Sequence, residues 1–123
     1  MASAHPAKAN RPHVVDHIMR LQGGNGADLT IEEGSFIKSV ARTGEGAYRI
    51  TWQQDPGQFL GPKSATFSSA TMADTKGHTV TFDTYDATNL QLDFSVWDSA
   101  FAADDLLVNE YLTLTISFSE HGY

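Results

Sequence analysis

Five histidines, fifteen acids and no cysteine define the chemistry open to this 123-residue chain. Without Cys there is no disulfide framework, no thiolate nucleophile and no Cys-containing zinc site, so only His and carboxylates could hold a metal. The tightest grouping is His13-Val-Val-Asp-His17, the outline of an inverted His-x-x-Glu-His metalloprotease motif. On a helix, His13 and His17 would lie one turn apart, with Asp16 placed to act on a metal-bound water. That chemistry needs a buried helix and a further ligand from a larger fold, whereas here Asp replaces Glu in a polar segment. The pair therefore reads as solvated or interface histidines, and no metal is expected.

Other groupings are weaker. Gly23-Gly-Asn-Gly26 offers backbone amides to an anion but lacks the Lys-Ser/Thr of a Walker loop, so it reads as a turn. Asp98, Asp104, Asp105 and Glu110 could surround calcium, yet no EF-hand spacing links them, and solvated loop acids are the simpler reading. No Ser lies in Gly-x-Ser-x-Gly, and neither His78 nor His121 has a marked partner. Trp97 and Tyr85 fall on the parity opposite to their strands' aliphatic residues and could form an exposed sugar platform; Trp52 shares a face with Tyr48 and Ile50 and reads as core. For Trp97 and Tyr85 as well, core or subunit interface is preferred to a ligand site. No catalytic residue and no cofactor are expected.

The elements that carry these residues follow from period and composition. From Gly26 onward apolar residues alternate: Tyr48, Ile50, Trp52; Val80, Phe82; Leu90, Leu92, Phe94, Val96; Leu112, Leu114, Ile116, Phe118. Leu29 to Glu33, Phe36 to Arg42 and Ala65 to Met72 are further candidate strands. Turn residues, Gly61-Pro62 among them, recur about every 10 residues. This predicts an all-β domain over residues 28–123, an antiparallel β-sandwich or jelly-roll-like barrel. Ser99 to Glu110 is expected to be a connection carrying a helical turn. Residues 1–27 read as a flexible N-terminal arm whose segment Pro12 to Leu21 fits helix and strand equally, because Val14, Ile18 and Leu21 have helical spacing while Val14, Val15 and Ile18 are β-branched.

No apolar stretch approaches the roughly 18 residues of a membrane-spanning helix, and no membrane partner is expected. The net charge of −7 argues against nucleic-acid binding. It is also polarised: all eight bases precede Gly77, whereas Gly77 to Tyr123 holds eight acids and no base. The acidity then reads as an outward face, with the less acidic arm making attachments.

Three phrases, Arg20-Leu-Gln-Gly-Gly-Asn-Gly-Ala-Asp-Leu-Thr30, Ser39-Val-Ala-Arg-Thr-Gly-Glu-Gly-Ala-Tyr-Arg-Ile-Thr51 and Asn109-Glu-Tyr-Leu-Thr-Leu-Thr-Ile-Ser-Phe-Ser-Glu120, cover about a third of the chain. In these the sequence resembles small virion proteins of tailed bacteriophages, above all capsid decoration (cement) proteins. The resemblance implies a non-catalytic β-sandwich, usually a homotrimer, on the outer surface of the capsid, bound to several major capsid protein subunits. With it, Val14, Val15, Ile18, Met19 and Arg20 become the expected anchors of the arm at a capsid or subunit interface. Deleting Met1 to Leu21 is then expected to leave the domain folded. The alternatives are a tail or baseplate protein of the same architecture and a carbohydrate-binding module.

Overall fold

Strict alternation produces most of the strands of this protein, whose computed structural model describes residues 14–69 and 77–120. Eight strands follow one another: β1 (Val14–Gln22), β2 (Thr30–Glu33), β3 (Ile37–Gly44), β4 (Ala47–Trp52), β5 (Gln58–Ser69), β6 (Thr79–Phe82), β7 (Gln91–Trp97) and β8 (Glu110–Ser119). They form two antiparallel sheets, ordered β2-β1-β8-β5 and β3-β4-β7-β6. Of the two architectures expected, the sandwich is the one formed. Leu112, Leu114, Ile116 and Phe118 of the first sheet meet Tyr48, Ile50, Trp52, Leu92, Phe94 and Val96 of the second, and all are buried. Each such side chain contributes roughly 1.5–3 kcal/mol of burial free energy, so the interleaved rows supply most of the driving force.

The N-terminal half of the fold departs from the sequence reading. Residues 14–22 are not part of an arm; they form β1, which pairs with β2 on one side and along its whole length with β8 on the other. The arm expected over residues 1–27 therefore does not include 14–22, and residues 1–13 lie outside the described residues. Removing Met1 to Leu21 would take out a central strand, so the domain would not survive that deletion. The reason is inward parity: Met19 and Leu21 are fully buried, and Val15 and His17 share their side.

Two other expectations fail locally. Ser99 to Glu110 contains no helical turn; an Asp98-capped turn and a bridge between Trp97 and Ala103 keep it extended. Gly61-Pro62 is not a turn between strands but lies within β5, at the two irregularities in its pairing with β8. Because β5 is an edge strand, a proline without an N–H is tolerated there. The β3–β4 turn needs Gly46, at φ 65°, where a Cβ would lie 2.6 Å from the Asp104 amide nitrogen.

Candidate functional site

The alternation of β1 aims His17 between the sheets, opposite Ile116 of β8. Its imidazole lies 4.5 Å from the Phe36 ring, 5.2 Å from Phe118 and 6.4 Å from Trp52, centroid to centroid. The Trp52 indole Nε1–H donates to His17 Nδ1 at 2.9 Å. An indole only donates, so Nδ1 is the acceptor and the ring proton sits on Nε2. Burial lowers the His17 pKa below its usual 6.5, with the Asp16 charge opposing the shift, and the neutral ring is the stable form. This is the reverse of a catalytic triad, in which a carboxylate accepts from Nδ1–H and leaves Nε2 free to act as a base. His17 is therefore set up as a neutral donor.

Around it opens a cleft of about 430 Å³ lined by Val15, His17, Phe36, Trp52, Asp55 and Glu120, among others. A second recess, of about 490 Å³, lies on the other side of Asp55 against Phe59 and Tyr85. Tyr85 stacks on Phe59 at 5.4 Å and meets Trp52 and Phe118 edge to face. Burial, with the negative charges of Asp55 and Asp86, pushes its phenol up to about 12. Its hydroxyl is buried and has no hydrogen-bond partner among the described residues. Two carboxylates beside aromatic walls suit a cationic side chain better than an anion.

The groupings singled out in the sequence are dispersed. His13 and His121 lie outside the described residues. Asp16 faces the opposite side of β1 from His17 and accepts from Lys63 Nζ at 2.8 Å and Ser117 Oγ at 2.6 Å. The acids that could have surrounded calcium each serve another end. Asp98 accepts from the Ala100 and Ala102 amides, Asp104 Oδ2 sits 3.0 Å from His78 Nε2, and buried Glu110 accepts from the Leu107 amide. Among the described residues no group of three His, Asp or Glu is placed to hold a metal ion. The glycine turn spends its amides on the chain, Gly23 N–H on Glu110 O and Asn25 N–H on Leu106 O.

The aromatic platform is not assembled either. Trp97 lies on the outer side of β7 and donates to Thr81 Oγ1 at 2.9 Å, while Tyr85 is buried at the other end of the sandwich. Trp52 is core, as its face indicates. Of the five expected anchors, Val14 and Ile18 are exposed, at 46% and 57%, and Arg20 lies over the Tyr111 ring at 4.4 Å. Val15 lines the cleft, and Met19, fully buried, is not available to a partner.

The opposite end holds a network that no local motif announces. Asp105 takes the Arg42 guanidinium in two bonds of 2.9 Å, the Gly46 amide at 2.8 Å and the Tyr48 hydroxyl at 3.4 Å. Tyr48 in turn accepts from the buried Leu106 amide at 2.9 Å. Arg42 and the Gly46 amide hold the Asp105 carboxyl below the usual range. The network ties the β7–β8 connection to the second sheet.

No family model matches the sequence, and no curated protein or solved structure matches the chain.

Proposed function

We propose that this is a non-catalytic structural protein of a tailed-bacteriophage virion, a decoration (cement) protein that binds the outer surface of the head across major capsid protein subunits as a homotrimer. The sequence phrases quoted above support the family. The observation that carries the attachment is the solvent side of the β2-β1-β8-β5 sheet. There Val14 and Ile18 stand exposed on a central strand, beside Arg20 and the outward row Thr113, Thr115 and Ser117 of β8. Two large apolar groups set among hydroxyls and the Asp16–Lys63 ion pair form a small contact patch with a polar rim, the usual anatomy of a protein interface. The acids on this side, Asp16 and Glu32, are paired with Lys63 and Arg20, so its charges are balanced. Sites that exist only on the assembled shell stabilise it by mass action.

Mixing purified protein with heads that lack it, followed by sedimentation, tests the reading. Wild-type protein should co-sediment at saturable occupancy, and Ile18→Asp should weaken binding by about tenfold or more with Tm preserved, because Ile18 points to solvent. Full occupancy by Ile18→Asp would remove this patch from consideration, and absence of wild-type binding would remove the capsid. Ultracentrifugation should give three times the 13.4 kDa chain mass.

A further inference from the structure

Among the described residues Phe101 is the most exposed large apolar side chain, at 72%. A tight turn holds it there. The Asp98 carboxylate accepts from the Ala100 amide at 2.8 Å and the Ala102 amide at 3.0 Å, and the Asp98 backbone bonds to those of Phe101 and Ala102. The turn sets Phe101 at φ 61°, a left-handed conformation that crowds a Cβ and that glycine adopts without penalty. A large ring kept at a position suited to glycine, and turned to solvent, makes a rigid knob. Aromatic rings of this kind are enriched where proteins meet.

The same molecule carries a matching hollow at its opposite end. The recess of about 490 Å³ is walled by Phe59, Tyr85 and Ala87, with the rings of Phe59 and Tyr85 stacked on each other. The seven residues of β7 separate it from the knob: Tyr85 precedes that strand, and Phe101 follows it in the turn closed by the Trp97–Ala103 bridge. Such a strand spans roughly 20 Å, so Phe101 cannot enter the recess of its own chain. A second copy brings the two together. We propose that Phe101 of one copy seats in the Phe59–Tyr85 recess of a neighbouring copy, a contact that rests on the reading of the protein as a homotrimer and supplies the interface between its subunits. Knob and socket on different parts of the surface make a heterologous contact, the kind that closes into a ring. One aromatic side chain buries roughly 150–250 Å², far below the roughly 1,200 Å² of a stable pair, so a lone contact is weak and ring closure, which gives every copy two, is what sustains it. The carboxylates of Asp86 and Asp98, one beside each half of the contact, are occupied by the amides of their own turns. Added salt, which screens their mutual repulsion, should therefore strengthen the association.

Analytical ultracentrifugation of the full chain over a concentration series tests the contact. Phe101→Gly should weaken association by about tenfold or more, with the Tm of dilute protein unchanged or raised because glycine relieves the left-handed turn. Ala87 is exposed at the recess wall, so Ala87→Trp should fill the hollow and weaken association to a similar extent. Since the chain has no cysteine, a mixture of Ala87→Cys and Ala100→Cys proteins should be joined by a short bis-maleimide, while neither variant alone should be. A trimer unchanged by Phe101→Gly would overturn the contact and leave the homotrimer standing; a wild type that stays monomeric would overturn both. A dimer lost with Phe101→Gly would support the contact and remove the trimer. Cross-linking of Ala100→Cys to itself would overturn the contact by setting knob against knob.

Discussion

At one end of the sandwich Asp105 gathers a guanidinium, a backbone amide and a phenol; at the other, His17 sits among the rings of Phe36, Trp52 and Phe118 on a single indole hydrogen bond. The first end pins a long connection, and its polar groups are spent on one another. The second relies on shape, leaves two recesses, and keeps a titratable ring in a neutral form. Ionic closure therefore fixes loops, while aromatic closure leaves room for something to enter. Both recesses lie at the end without the dense polar network.

The largest expected difference lies in packing. Trp52→Ala should destabilise the domain by about 3–5 kcal/mol in equilibrium denaturation, since it empties the centre of the aromatic end and removes the donor to His17. A loss under about 1 kcal/mol would mean that this end contributes little to the fold. Tyr48→Phe attacks the ionic end and should cost about 1–3 kcal/mol, because the buried Leu106 amide loses its acceptor. If Trp52→Ala proves the milder of the two, the contrast between the ends inverts.

The smallest effect sharpens the comparison by pH. The His17 pKa is lower folded than unfolded, so between the two values the unfolded chain binds more protons; the stability His17 provides is full above 6.5 and is lost as pH falls through the folded pKa. Asp105 is also lowered, from 3.8, so its contribution is full above that value and is lost only as pH falls further. The ends should weaken in separate windows, aromatic first. Denaturant midpoints measured from pH 8 to pH 2 should show both declines, with His17→Gln flattening the upper one and Asp105→Asn reducing the lower one. A single decline confined below pH 3.8 would show that His17 is not held neutral.

The sequence displays one of these ends better than the other. β4, β7 and β8 are legible because apolar and polar residues alternate without interruption, and Trp52 could be placed in the core by its parity alone. β1 is obscured because its two faces are both partly apolar. Val14 and Ile18 face solvent, while the inward row includes a histidine, so the alternation is blurred and a helical spacing appears by coincidence. Neither site has a local signal. His17 and Trp52 are 35 residues apart, and Arg42 and Asp105 are 63 apart, so only strand pairing brings them together. Ser99 to Glu110 has a helix-compatible composition, but its Asp104 and Asp105 side chains are claimed by His78 and Arg42, and its Leu106 and Glu110 carbonyls by the glycine turn.

The ladder between β1 and β8, which joins Val14 to Ser119, has a consequence for how the protein comes to be folded. The earliest described strand must wait for the last one before it gains its long partner, with only the four-residue β2 beside it in the meantime. Pairing over so great a sequence separation carries a large loop-closure entropy, which slows the search for the native topology. During that interval Met19 and Leu21 remain wet and available to other unfinished chains. High-level production should therefore be limited by aggregation of nascent molecules rather than by the endurance of finished ones.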